Sequence, residues 1–147
     1  MALILSGCGQ SGSGSSPFVP HEFDFDNRQF SIQLPPKASI LSSEDKNLVM
    51  INLQAGTALS PRITIRKTFT GDASMPGGKS LKLRNAALLD YRVSATNVGA
   101  GQPEAFLNGH LTFGGQRYVV SCNIQSKFVT KTHASWCVDY LATIATR

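Results

Sequence analysis

Charge is scarce in this chain of 147 residues: Asp, Glu, Lys and Arg make up only 16% of it, against 41% hydrophobic residues. That balance excludes a disordered chain, which stays open through high charge and low hydrophobicity. Long apolar runs are missing too. None approaches the roughly 18 residues of a spanning helix, so nothing beyond the N-terminus is expected to enter a membrane. Histidine occurs three times, as His21 beside a proline, His110 and His133, and none has a Cys, Asp or Glu at a spacing that makes a metal motif. No nucleophile elbow or paired catalytic carboxylates are present. Asp24 and Asp26, two residues apart, lack the further acidic ligands that a calcium loop needs. Pro76-Gly77-Gly78-Lys79-Ser80 resembles the end of a phosphate-binding loop, but that loop requires a glycine five residues before Gly78, where Ala73 stands. His110 faces toward Ser121 across two expected strands, as a base faces a nucleophile, yet a histidine on a sheet surface more often gives only polar cover. No catalytic residue, metal or cofactor is therefore expected, and binding is favoured over enzymatic chemistry.

What is present begins at the N-terminus. Leu5-Ser6-Gly7-Cys8 resembles the lipobox of bacterial lipoproteins, which would make Cys8 the lipidated residue. A secretory signal needs a basic start and a longer apolar run than Ala2 to Leu5 supplies, so residues 1–8 are expected to be the end of a longer signal. Gly9 rather than an aspartate follows the cysteine, which in such lipoproteins implies the outer membrane. Gly9 to Ser16 is built of Gly, Ser and one Gln, a flexible tether, and residues 9–20 are read as that linker. Residues 21–147 are then one domain, large enough for a core in two or three layers.

The charge that exists is lopsided. Up to Asp45 five acids stand against two bases, whereas the remainder carries twelve bases against four acids, for a net charge of +5. Such asymmetry suits either an acidic partner or scattered solubilising charge.

Alternation with a period of two marks the strands. Phe23 and Phe25, then Phe30, Ile32 and Leu34, form the apolar face of a hairpin turning at Asp26-Asn27-Arg28, with Asp24 and Asp26 on its polar face and Pro35-Pro36 ending it. Leu48 to Leu53 is apolar on both faces and suits the middle of a covered sheet. After Pro61, Ile63 and Ile65 face in while Arg62, Thr64 and Arg66 face out. Leu81 to Tyr91 reads as a short helix passing into a strand at about Asp90 to Ala95. A two-residue turn at Gly114-Gly115 pairs Leu111 with Tyr118, Gly109 with Val120 and Leu107 with Cys122 on the apolar face; Thr112 with Arg117, His110 with Val119 and Asn108 with Ser121 form a mostly polar face.

From about Thr132 the spacing becomes helical, with Ala134, Cys137, Tyr140, Leu141 and Ile144 at intervals of three and four. A helix laid across the last strand brings Cys137 to Cys122. If Cys8 carries lipid, these two cysteines form one disulfide in an exported protein, worth ~3 kcal/mol for a short loop in the chain-entropy picture. The expected fold is α+β, a mainly antiparallel sheet with a C-terminal helix packed on it.

Phe30-x-Ile-x-Leu-Pro35, the Gly-Gly hairpin leading to Tyr118-x-x-x-Cys122, and Trp136-Cys-x-x-Tyr-Leu141 together resemble small bacterial lipoproteins of the PsbP-like α/β sandwich. That grouping includes periplasmic immunity proteins of type VI secretion systems, which bind and block a cell-wall hydrolase toxin. The resemblance covers roughly residues 22 to 147; it lacks the tryptophan such proteins often carry after Leu-Pro, where Pro36-Lys37-Ala38 stand, and their long middle helix. It implies a periplasmic, lipid-anchored protein with a protein partner and no nucleic acid. The alternative from another class is an envelope lipoprotein with a structural or assembly role, and a toxin gene next door would separate the two. Arg62, Arg66 and Arg117, with Lys79 and Arg84, are the candidate partner-binding residues, because catalytic clefts of such hydrolases often hold carboxylates.

Overall fold

The first hairpin forms as its pattern dictates. In the computed structural model, which describes residues 18–54, 61–68, 78–96, 104–125 and 136–147, β1 (Val19–Phe25) and β2 (Arg28–Leu34) pair antiparallel across a two-residue turn. Asp26 and Asn27 occupy that turn with φ of 54° and 58°, the left-handed conformation that Asp and Asn tolerate and that matches strand twist. β1 thus begins inside the stretch read as linker. Phe23, Phe25, Phe30, Ile32 and Leu34 all point into the core.

Strands β3 (Ser39–Ser42), β4 (Leu48–Asn52), β5 (Arg62–Lys67), β6 (Lys79–Lys82), β7 (Leu88–Thr96), β8 (Glu104–Phe113) and β9 (Gln116–Gln125) follow. They form one seven-stranded antiparallel sheet in the order β3-β4-β5-β9-β8-β7-β6. A second sheet, β1-β2-β10, is closed by β10 (Ala145–Thr146), which pairs with β2 at Ser31 and Phe30. The core lies between the sheets: Val49, Ile51, Ile63, Ile65, Leu89, Leu107, Leu111 and Val120 from the large one meet the phenylalanines of the small one. Phe25, Phe30 and Tyr118 meet there at tilted and edge-on angles with ring centroids 5.1–6.4 Å apart.

The β8–β9 register is the one expected from the sequence, with Phe113 opposite Gln116 and Leu107 opposite Cys122. Gly114 and Gly115 turn at φ of 60° and 81°, a geometry glycine adopts without strain. Gly109 has a different reason to be glycine. A Cβ there would come within 2.2 Å of the Asp90 carbonyl oxygen, closer than any side chain tolerates.

Two expectations fail, and both overestimated helix. The fold is not α+β with a packed C-terminal helix but almost wholly antiparallel sheet, and the PsbP-like helical layer is absent among the described residues. The only described helix is α1 (Val138–Leu141), a single turn whose N-cap, Cys137, makes no side-chain capping bond. Cys137, Leu141 and Ile144 do reach the core, so the helical spacing was real. One turn satisfies it, continued by N–H bonds from Thr143 to Tyr140 and from Ile144 to Leu141, and the chain extends only at Ala145–Thr146 to complete the small sheet. Thr143 marks the change: its hydroxyl donates to the Tyr140 carbonyl at 2.7 Å and accepts from the Gln33 N–H at 3.0 Å. Ala134 lies outside the described residues.

The short helix expected within Leu81 to Tyr91 is also absent. Lys79–Lys82 is a strand, and Leu83 to Ala87 is a turn with Ala86 at φ 70°. Asn85 explains it. Its side-chain amide donates to the carbonyls of Leu141 at 3.1 Å and Ile144 at 3.0 Å, while its oxygen accepts from the Ala87 N–H at 3.2 Å. Tertiary hydrogen bonds thus override a weak helical pattern. β3, which is not among the strands expected above, pairs Ile40 with Ile51.

The disulfide forms as expected between Cys122 and Cys137, whose Cα atoms lie 6.4 Å apart. Both residues are fully buried. The bridge ties a central strand of the large sheet to the segment that ends in β10.

Candidate functional surface

Alternation along β4, β5, β7, β8 and β9 sends one set of side chains into the sandwich and the other to the opposite side of the large sheet. The small sheet covers only the inner side. Register places the outer residues in rows across the strands. One row runs Arg62, Asn123, Phe106, Ser94; the next places Asn108 beside Ser121 and Arg92; another runs Arg66, Val119, His110, Asp90, Ser80; a fourth runs Arg117, Thr112, Leu88, Lys82.

Arg62, Arg66 and Arg117 therefore share one face. Arg62 and Arg117 are exposed and Arg66 is half-buried. The Arg62 guanidinium donates to the Asn52 side-chain oxygen at 3.0 Å, and that of Arg66 to the Lys67 carbonyl at 3.3 Å. Lys79 and Arg84 lie elsewhere. Lys79 is opposite Tyr91, whose parity is that of the inner side, at the β6 edge, and Arg84 is in the β6–β7 turn. The sequence reading missed Arg92, because the strand it expected there had no register to fix its face.

His110 sits on this face but is only 4% exposed, so it is not the polar cover expected. Nor does it form a dyad with Ser121, whose hydroxyl donates instead to the Asn108 side-chain oxygen at 2.9 Å. His133 and Cys8 lie outside the described residues. Among the described residues no group of three or more His, Cys, Asp or Glu could hold a metal, and no helix is long and apolar enough to cross a membrane.

Asp26, assigned to a solvated strand face by alternation alone, has another role. Its carboxylate pairs with the Lys67 ammonium at 2.9 Å and accepts from the Tyr118 hydroxyl at 3.0 Å, with only 13% of its side chain exposed. Burial alone would raise its pKa, but the Lys67 and Tyr118 hydrogen bonds and the charges of Lys67 and Arg28 outweigh it and hold the carboxyl below its ordinary value. Burial, then the bond to Asp26, pushes the Tyr118 phenol up to about 12. The signal was an inward-facing tyrosine, whose hydroxyl needs a buried acceptor. A groove of about 450 Å³ lies at another place, between Pro35, Pro36, Leu53, Ile124, Trp136 and Tyr140. The Trp136 indole N–H at its wall is itself inaccessible.

Residues 31–145 match the model of the type six secretion immunity 3 (Tsi3) domain. The chain belongs to that family. No curated protein sequence matches it. A crystal structure from Bacteroides thetaiotaomicron VPI-5482, at 1.50 Å resolution, is similar in fold, with a TM-score of 0.55 at 13% identity. The match covers 80% of this chain and 45% of that one, and at that identity it speaks to fold alone. The family places the chain among type VI secretion immunity proteins, whose counterpart is a protein toxin.

Proposed function

We propose that this immunity domain neutralises a cell-wall hydrolase toxin by binding it in the periplasm while anchored to the outer membrane through lipid on Cys8. The match to the immunity family carries the reading. The Leu-Ser-Gly-Cys run and the Gly/Ser-rich stretch after it support an anchored, tethered domain. The buried Cys122–Cys137 bridge supports an oxidising compartment. Neutralisation proceeds by occlusion: the chain contributes a rigid sheet, closed covalently, and no chemistry of its own.

The test is survival. Cells making a type VI secreted cell-wall hydrolase from the same genome as this chain, sent to the periplasm, should stop dividing, and the chain behind a complete secretory signal should restore growth. A cytoplasmic version should not. Palmitate should label the exported chain, and Cys8→Ser should abolish the label and release the protein into the soluble fraction. Equal rescue by the cytoplasmic version would sink the compartment, and no rescue by any version would sink the toxin.

A further inference from the structure

We infer that the outer face of the seven-stranded sheet, centred on β9, β8 and β7, is the docking surface, and that it takes an acidic protein surface through Arg62, Arg92 and Arg117. The inference rests on the immunity reading and names the surface that reading leaves open.

Charge is the first argument. Arg62, Arg66, Arg92, Arg117 and Lys82 all fall on this face by register. The acids on the same face are Asp90, which accepts from the Ser80 hydroxyl, and Glu104 at the end of β8. Among the described residues no carboxylate pairs with Arg92 or Arg117. Among the described residues the face thus carries five cations against two acids, a balance complementary to a carboxylate-bearing partner.

Composition is the second. Leu88, 41% exposed, lies in the same row as Arg117, and half-buried Phe106 and Val119 lie in the rows of Arg62 and Arg66. Arginine among exposed apolar side chains is the make-up of a protein interface, whereas a surface that only solubilises is dominated by lysine and glutamate. Size is the third. Seven strands about 4.8 Å apart and four to ten residues long span roughly 600 Å², close to the ~800 Å² that a specific interface takes from each partner. The strands are held from behind by the core, so docking costs little ordering.

The probe is the type VI secreted cell-wall hydrolase against which this chain restores growth, purified as a catalytically inactive variant. Its affinity is measured by calorimetry at 50 and 300 mM salt. The wild type should bind, more weakly at high salt. Arg62→Glu/Arg92→Glu/Arg117→Glu should weaken binding at least 30-fold at low salt with an unchanged circular dichroism spectrum and melting temperature, and Arg92→Glu alone by several-fold. Lys79→Glu/Arg84→Glu, off this face, should bind within two-fold of wild type. Wild-type affinity in the triple variant overturns the surface and leaves immunity standing. No binding by the wild type overturns both. Tighter binding to a 20-base-pair DNA duplex or to anionic vesicles than to the hydrolase overturns the partner class.

Discussion

Two polar ties of opposite character help to fasten the small sheet to the large one. On one flank the β1–β2 turn gives Asp26 to Lys67 of β5 and Tyr118 of β9. On the other the β6–β7 turn gives Asn85 to the carbonyls of Leu141 and Ile144, just before β10. The first is an ion pair and depends on a proton; the second is neutral and does not. The neutral tie also has covalent support, since Cys137 begins the segment it holds. Acid should therefore loosen the β1 flank first and leave the β10 flank in place.

The largest effect expected is at the bridge. Cys137→Ala should lower unfolding free energy by ~2–5 kcal/mol in denaturant titrations, the usual loss for a native bridge in a small exported domain. A loss below ~1 kcal/mol would mean that Asn85 alone holds the closing segment.

Next comes Asn85→Ala, which leaves two part-buried carbonyls and the Ala87 N–H without their partner. About 2–3 kcal/mol should be lost, and equally at pH 7 and pH 4. A pH-dependent loss would break the contrast between the flanks.

Asp26→Asn keeps a residue that accepts a positive φ and an acceptor for the Tyr118 hydroxyl, and removes only the charge. It should cost ~1 kcal/mol at neutral pH. Because the folded pKa is depressed, the carboxylate's contribution is complete above its unfolded pKa and disappears as pH falls through the lower folded value. Melting temperatures of wild type and variant should thus converge as pH falls below about 4. Parallel curves down to pH 2 would show that the ion pair carries nothing.

The smallest effect is at Ala86. Its left-handed φ of 70° costs about 1–2 kcal/mol for a residue with a Cβ, and glycine relieves this while loosening the unfolded chain by ~0.4–1 kcal/mol. Ala86→Gly should raise the melting temperature by a degree or two. A fall would mean that the Asn85 turn holds Ala86 by side-chain packing.

Local pattern revealed the strands whose partners are near in sequence. The Phe23–Phe30 hairpin, the Gly114-Gly115 turn and the Leu107–Cys122 register follow from a period of two and a turn type, and those are properties of a few residues at a time. The two failed helices share a cause. In Leu81 to Tyr91 and in Cys137 to Ile144, spacing of three and four is as easily produced by a turn joined to a strand, and the deciding hydrogen bonds come from Asn85 and from β2, more than fifty residues distant. Of the candidate surface, Arg62, Arg66 and Arg117 were legible because alternation fixed their side of the sheet. Arg92 was not, since its face depends on pairing with Asn108. Asp26 was hidden for the same reason: alternation gives a direction and says nothing of what waits there.

The position of β10 has a consequence in time. Ala145 and Thr146 lie beside Ser31 and Phe30, so the sheet begun by β1 is finished by β10, the last of the described strands. β9 likewise must reach back past three strands to pair with β5. Contacts so distant in sequence form late and slowly, because loop closure precedes their reward. A chain emerging from a ribosome cannot complete the large sheet before Gln125 is out, nor the small one before Thr146 is. Its core stays unfinished until β10 arrives, and the Cys122–Cys137 bridge, once formed, holds in place the segment that brings β10 there.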